Sequence, residues 1–181
     1  VCLCAFVRQK ISEVFTMNNK ITTKKLVIAA MLIAIGVIGG AWSIPVGASK
    51  CAPIQHMINI LCATVLGPWY GVAAAFVISL IRVMMGTGTL LAFPGSMCGA
   101  LLAGLLCAAF KRFDIPGIDK ALGKGTLGAV LGELFGTAVI GGILSYPIAV
   151  FMLGKTAAVY TYIFPFFVST FGGTVIGTVL Y

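Results

Sequence analysis

The chain has 181 residues, of which 60% are hydrophobic and 9% charged, and it carries a formal net charge of +8. A soluble domain has roughly 25% charged residues, so this composition excludes a water-soluble fold and predicts an all-α integral membrane protein of about six helices. The basic residues lie at the ends of apolar runs and form no single stripe, which excludes nucleic acid as a partner.

Residues 1–16 precede Met17, which is followed by the polar, basic stretch NNKITTKK. We expect residues 1–16 to be an upstream or mis-assigned extension, and residues 17–181 to form a single six-helix transmembrane domain. The apolar run that follows is long enough to span a bilayer and lacks a convincing small-residue cleavage site, so it is interpreted as the first helix and not as a signal peptide.

Apolar runs interrupted by glycine, proline and polar loops predict six spans. In chain order they cover about residues 26–44, 54–67, 71–85, 91–110, 125–148 and 159–180. The second span is short and contains His56, Asn59 and Thr64, so it is predicted to be tilted, broken or only partly spanning.

Lysine and arginine are divided unevenly between the two ends of these spans. Only Lys50 and Lys155 fall on one side. The other side carries Lys20, Lys24, Lys25, Lys111, Arg112, Lys120 and Lys124. The positive-inside rule therefore predicts that both termini lie in the cytoplasm, which agrees with an even number of spans.

Small residues recur at fourfold spacing in most of the spans, as at Gly128 and Gly132. Such faces let helix backbones approach closely in lipid, which is typical of ordinary helix packing. One pair differs in its position: Ala30 and Ala34 lie near the start of the first span, beside its basic flank. This face is a candidate docking surface for a partner.

Two charged residues are predicted to lie within the membrane, Arg82 in the third span and Glu133 in the fifth. A charge at the centre of a membrane helix costs on the order of 2.5–3.5 kcal/mol, so such residues are candidates for function. Their depths differ by roughly 5 Å, which allows them to pair or to share a ligand. A purely structural ion pair, or an Arg82 side chain reaching outward to the interface, remain the alternatives.

Several other side chains give weaker indications. His56 is next to a loop, where a hydrogen-bonded or exposed histidine is more common than a ligand contact. Trp42, Phe93 and Tyr146 fall near the outer ends of their spans, where they are typical of an interfacial aromatic belt but also suit stacking on a flat ring. The six cysteines lack metal-binding spacing, so no metal and no cofactor are expected.

Motifs of common enzymes are missing from the sequence. It contains no HExxH, no GxSxG and no Walker GxxxxGK[ST]. We therefore expect no enzyme activity, and a membrane-embedded enzyme is disfavoured. If transport by this chain uses ATP, a separate subunit must hydrolyse it.

Two segments carry a resemblance to a known family. They are GTGTLLAFPGSM, Gly86–Met97, and GELFGTAVIGG, Gly132–Gly142. From about Ile21 onward the chain resembles ThiW, the thiazole-specific substrate-binding (S) components of energy-coupling factor (ECF) transporters. The resemblance implies the six-helix S-component fold, uptake of hydroxyethylthiazole for thiamine synthesis, and a place in the plasma membrane of a prokaryote. It also implies a transmembrane coupling protein and two cytoplasmic ATPase subunits as partners.

The resemblance also suggests residue roles. Ala30 and Ala34 match an AxxxA motif with which similar S components face the coupling protein. The substrate-binding candidates are Arg82 and Glu133 for the hydroxyl or the ring nitrogen, Asn59 as a further polar contact, and Phe93 and Tyr146 for stacking. The loops at residues 44–53 and 86–91 would gate the outer mouth, and ATP-driven toppling of the loaded subunit would deliver the substrate.

Two other functions are kept as alternatives. The first is an S component for a different vitamin precursor, such as thiamine or a pyrimidine. The second is a stand-alone secondary transporter, for which an internal repeat would be expected and none is recognised in the sequence.

Overall fold

A computed structural model of the chain describes residues 23–46, 49–113, 122–154, 156 and 158–180. The proposed extension at residues 1–16 lies outside them, as does Lys155. Within the described residues there are six helices: α1 (Thr23–Gly40), α2 (Pro53–Val65), α3 (Pro68–Met84), α4 (Ala92–Phe110), α5 (Thr126–Met152) and α6 (Ile163–Leu180). A short antiparallel hairpin of β1 (Ile44–Val46) and β2 (Ser49–Cys51) joins α1 to α2.

Four of these helices are long and apolar enough to cross a membrane. They are α1, α4, α5 and α6, with 18, 19, 27 and 18 residues. Helix α3 has 17 residues and α2 has 13. At about 1.5 Å per residue, α2 is about 20 Å long and falls short of a hydrocarbon core of roughly 30 Å. The prediction of a short second segment therefore agrees with the structure.

The predicted end of the first span is wrong. Helix α1 ends at Gly40, and Ile44 lies instead in β1, where it pairs with Cys51. The backbone N–H of Ala41 bonds to the carbonyl of Ile38, which forms a turn after the helix. The sequence concealed the hairpin because its strands have three residues each, too few to show an alternating pattern.

The predicted end of the fifth span is also wrong, because α5 continues past Ile148 to Met152. Proline at position 147 removes a backbone donor, which usually ends a helix. Here the turns that follow, Ile148–Met152, are π-helical, and so is the segment Phe135–Gly141. The helix therefore continues beyond the proline in a wider form.

Helices α4 and α5 pack with their backbones in contact. A Cβ atom added at Gly132 would lie 2.4 Å from the carbonyl oxygen of Leu102, and one at Gly128 would lie 2.4 Å from that of Leu106. Only glycine allows so close an approach of two helices. The predicted packing role of these small residues is therefore confirmed.

Large apolar side chains cover the outside of the bundle. Phe151 is 84% exposed, Val179 81% and Ile38 73%. A surface of this kind is unfavourable in water and suits contact with lipid chains. The apolar helices therefore identify a multi-pass membrane protein.

Candidate functional site

Buried polar side chains from four helices converge inside the apolar bundle. They are Gln55, His56 and Asn59 on α2, Ser79 and Arg82 on α3, Ser96 on α4, and Glu133 and Thr137 on α5. Polar groups are costly in apolar surroundings unless they form hydrogen bonds. A concentration of them in a membrane protein therefore marks a candidate site.

Helix periodicity places these side chains on shared faces. His56 and Asn59 are three residues apart on α2, and Glu133 and Thr137 are four residues apart on α5. Residues at these spacings are neighbours on a helix surface. The two faces meet, so that the α2 side chains contact the carboxylate of Glu133.

One oxygen of the Glu133 carboxylate holds most of its contacts. Glu133 is completely buried, and its Oε1 accepts hydrogen bonds from Asn59 Nδ2 at 2.8 Å, His56 Nδ1 at 2.8 Å and Thr137 Oγ1 at 3.2 Å. An ionised carboxylate only accepts, so Nδ1 of His56 is the donor in this contact when Glu133 is ionised. The second oxygen, Oε2, has no partner among the described residues.

Two glycines leave room for the charged side chains. A Cβ atom at Gly99 would lie 2.8 Å from Glu133 Oε2 and 2.0 Å from Thr137 Oγ1. A Cβ atom at Gly40 would lie 2.5 Å from Arg82 Cδ. Glycine at these positions of α1 and α4 therefore leaves space for the side chains of the polar cluster. This role is additional to the role of small residues in helix packing.

Arg82 lies at the other end of the polar cluster and is only 2% exposed. Its Nη1 donates to the side-chain oxygen of Gln55, and its Nη2 donates to the carbonyl of Thr87 at 3.4 Å. Its Nε has no partner among the described residues. Gln55 in turn donates from Nε2 to Ser79 Oγ at 2.8 Å.

A chain of polar groups continues from Ser79 to the buried carboxylate. The hydroxyls of Ser79 and Ser96 lie 2.9 Å apart, and Asn59 Nδ2 contacts both the carbonyl of Ser96, at 3.2 Å, and Glu133 Oε1. Arg82 and Glu133 are both described, and they form no ion pair with each other. The carboxylate pairs with histidine, and intervening polar groups link it to the guanidinium.

A cavity lies beside this network. Among the residues that line it are Lys50, Gln55, His56, Arg82, Thr137 and Phe166. Its volume is about 30 Å³, which is room for about two water molecules. The cavity is therefore lined by several hydrogen-bonding groups and an aromatic wall, and it is narrow in this conformation.

The hairpin and the loop after α3 form the roof of the cavity. Lys50 Nζ donates to the carbonyl of Gly86 at 3.4 Å, and Ser43 Oγ donates to that of Thr87 at 3.5 Å. Both contacts are long, and the first is exposed to solvent. Long, exposed hydrogen bonds contribute little stability, so this side of the roof is weakly held.

The other side of the hairpin is anchored to α6. The backbone N–H of Ala52 donates to Ser169 Oγ at 2.8 Å, and Cys51 Sγ donates to the carbonyl of Pro165 at 3.1 Å. Burial raises the pKa of the Cys51 thiol above its usual value, which keeps the proton that this contact requires. The hairpin is thus fixed on one edge and weakly held on the other.

The residues predicted from the sequence occupy different places. Arg82, Glu133 and Asn59 belong to one network, and Arg82 lines the cavity. Phe93 packs against Phe76 with ring centroids 5.6 Å apart, and Tyr146 is half-buried on α5. Neither aromatic is among the described residues that line the cavity, where Phe166 supplies the aromatic wall.

The docking surface predicted from the sequence lies on α1. Ala30 and Ala34 are both exposed on its outer face. Their neighbour Ala29 is buried, only 6% exposed, against the bundle. Because both alanines are exposed, this face of α1 is accessible to a partner protein.

Sequence reasoning missed Gln55, Ser79, Ser96 and Thr137 and gave little weight to His56. The sequence pattern could have indicated part of this polar cluster, because polar residues three or four apart lie on one helix face. Gln55, His56 and Asn59 form such a face in an otherwise apolar helix, and Thr137 follows Glu133 by one turn.

The fold and the site define a class of protein: a multi-pass membrane protein with a polar cavity inside an apolar helix bundle. A model of the family described as "Thiamine-precursor transporter protein (ThiW)" matches residues 26–181. The chain belongs to this family of thiamine-precursor transporters. No match is found among the curated proteins or the solved structures.

Proposed function

We propose that this chain is the substrate-binding S component of an ATP-driven ECF-type importer, and that its substrate is hydroxyethylthiazole. Membership of a thiamine-precursor transporter family supports the substrate class. The observation that carries the proposal is the cavity, in which Arg82 and His56 provide hydrogen-bonding groups beside an aromatic wall, while Glu133 holds His56 from behind. A small neutral ring with a few polar atoms requires this kind of site.

The polar atoms of the ligand match the groups in the cavity. The ring nitrogen of a thiazole accepts a hydrogen bond, and its hydroxyl group both donates and accepts. Arg82 supplies N–H donors, and a neutral His56 that donates from Nδ1 to Glu133 presents Nε2 as an acceptor. We assign Asn59 to holding the carboxylate and Phe166 to stacking on the ring. Phe93 and Tyr146, the stacking candidates from the sequence, do not line the cavity in this conformation.

Entry of the ligand requires the cavity to widen. A volume of about 30 Å³ is too small for a five-membered ring with a side chain. Parting the hairpin from the loop after α3 breaks the two long hydrogen bonds of Lys50 and Ser43 while the anchor to α6 stays intact. The hairpin is the proposed gate.

The proposed orientation places this gate outside the cell. Lys24, Lys25, Lys111 and Arg112 lie at the opposite end of the bundle from the hairpin. By the positive-inside rule that end faces the cytoplasm, together with both termini. The cavity then opens outward in the plasma membrane of a prokaryote, as import requires.

Transport is proposed to depend on partner subunits. The exposed Ala30 and Ala34 offer a smooth face on α1 for a transmembrane coupling protein. The sequence contains no Walker motif, which supports two separate ATPase subunits as the energy source. Toppling of the loaded subunit against the coupling protein is the proposed transport step.

Isothermal titration of the purified protein tests the substrate. We expect saturable binding of hydroxyethylthiazole and much weaker binding of thiamine and of a hydroxymethylpyrimidine. Binding of thiamine or the pyrimidine without binding of the thiazole would contradict the substrate assignment. It would favour an S component for another precursor.

Uptake into proteoliposomes tests the need for partners. With the chain alone we expect substrate to bind but not to accumulate, whereas adding the coupling protein and both ATPases should give ATP-dependent uptake. Accumulation by the chain alone, driven by an ion gradient, would identify a stand-alone secondary transporter.

A further inference from the structure

A second cavity lies at the opposite end of the bundle from the hairpin. Its walls come from the start of α1, the end of α2, the start of α3 and the end of α4. Its volume is about 450 Å³, and its lining includes Lys25, Lys111 and Arg112. None of the described residues lining it is acidic. Because like charges repel, three cations around one space favour an anion between them.

The basic side chains suit a phosphate group. Lys111 Nζ donates to the carbonyl of Thr64 at 2.9 Å, which holds the ammonium at the cavity wall. An ammonium has three N–H donors, so it can also bind an acceptor inside the cavity. Arg112, the next residue, also lines the cavity, and its guanidinium has five N–H donors, so it can bind the oxygens of a phosphate in addition to the interaction it makes elsewhere.

The surroundings of the cavity indicate that the phosphate belongs to a lipid. Apolar residues Val65, Leu66 and Ala108 make up part of its lining, and Val65 is 51% exposed on the outside of the bundle. Trp69, 51% exposed, is on the adjacent first turn of α3, and tryptophan is enriched at membrane interfaces. Basic pockets between helix ends are a recurring form of lipid head-group site.

We propose that this cavity binds the phosphate head group of an anionic phospholipid. Lys25 on α1 and the Lys111–Arg112 pair on α4 hold the phosphate between them, and the acyl chains lie against the exposed apolar surface beside Val65. Only 17% of the residues of α1 are buried in the bundle. A lipid that bridges α1 and α4 would therefore add an attachment for this helix. The proposal does not depend on which substrate binds beneath the hairpin.

Native mass spectrometry of the full chain with added phosphatidylglycerol or phosphatidylcholine tests the proposal. The test variant, Lys25→Gln with Arg112→Gln, keeps the Lys111–Thr64 bond. The matched control, Lys24→Gln with Lys124→Gln, removes the same charge from the same end, at positions that do not line the cavity. We expect the wild type and the control to retain phosphatidylglycerol at least tenfold more strongly than phosphatidylcholine, and the test variant to lose this preference.

A charge-preserving variant and a soluble anion serve as further controls. The charge-preserving variant Lys25→Arg with Arg112→Lys should retain the preference, which separates loss of charge from loss of folding. A preference that persists in the test variant, or is missing from the wild type, would overturn the proposal. So would inorganic phosphate that raises the Tm as much as phosphatidylglycerol does, because the occupant would then be a soluble anion. Titration of hydroxyethylthiazole should give the same affinity in all these variants.

Discussion

Among the described residues, Glu133 and Arg82 are the acidic and basic side chains buried in the bundle, and they form no ion pair with each other. Glu133 shares Oε1 among three donors and leaves Oε2 without a partner among the described residues. Arg82 likewise has an unpartnered Nε. Incompletely satisfied buried polar atoms in a native structure call for an explanation, and for Arg82, which lines the cavity, the proposed ligand supplies one.

We predict that Glu133→Gln and Arg82→Ala each weaken hydroxyethylthiazole binding at least tenfold, about 1.4 kcal/mol. The first change removes the charge that fixes His56, and the second removes donors that line the cavity. Isothermal titration measures the affinity, and Arg112→Ala, at the other end of the bundle, is the control. Unchanged affinity in both variants, with normal folding, would make the two charges structural.

The His56–Glu133 contact should also stabilise the fold. Removing one partner from a buried pair leaves a polar group without compensation, so His56→Ala should lower the free energy of unfolding by about 1–3 kcal/mol. In the Glu133→Gln background the same substitution should cost less, because the charge is already gone. A double-mutant cycle by thermal unfolding measures this difference, and purely additive effects would exclude direct coupling.

At the scale of elements, the contact between α4 and α5 tolerates no side chain at Gly132. Its added Cβ would lie 2.4 Å from the backbone carbonyl of Leu102, which cannot rotate away. We predict that Gly132→Ala destabilises the protein by about 1–3 kcal/mol. Gly172→Ala on α6 is the matched control, because its nearest neighbour, a Pro53 side-chain atom, would be 3.6 Å away. Equal Tm values for the two variants would contradict the close packing.

Helix α1 combines a buried face with an outward face that carries Ala30 and Ala34. We predict that Ala30→Trp or Ala34→Trp blocks co-purification of the coupling protein and leaves thiazole affinity unchanged, because bulk is added only outside the bundle. Val179→Trp, at an equally outward position of α6, is the control. Normal co-purification of both α1 variants would place the docking surface elsewhere.

The π-helical segment of α5, Phe135–Gly141, lies beside the buried carboxylate. It begins two residues after Glu133 and contains Thr137, which bonds to that carboxylate. A π-helical turn changes the direction of the side chains that follow it and occurs frequently at functional sites. The sequence showed an apolar helix with an acidic residue, but the local widening depends on how α5 packs against its neighbours.

For the whole molecule, the gate should control the rate of binding more than its strength. Lys50→Met keeps an apolar stem but removes the hydrogen bond to Gly86. Because this bond is long and exposed, its contribution lies at the low end of the usual range, about 0.5 kcal/mol, so both association and dissociation of hydroxyethylthiazole should become roughly twofold faster.

Stopped-flow fluorescence measures both rate constants for this variant. The control is Lys24→Met, which changes a lysine at the opposite end of the bundle. A large loss of affinity with an unchanged association rate would show instead that Lys50 holds the ligand directly.

The intramembrane charges stood out in the sequence because a charge in lipid is expensive wherever it lies. Ser79 and Ser96 did not stand out, because hydroxyl residues are common in membrane helices and their role depends on which residues they contact. The hairpin was missed for a related reason: Ile44 and Cys51 pair between two strands of three residues, and neither strand shows a pattern of its own.

The sequence by itself determined that the chain is a membrane protein built mainly from apolar helical segments, and its motifs led to the transporter family. Hydropathy is a local property, so it can be summed along the chain. The partner of Glu133 was decided only by the tertiary structure, because His56 lies 77 residues away and meets the carboxylate through the register of α2 against α5. Packing likewise decided that Arg82 reaches Glu133 only through other polar groups.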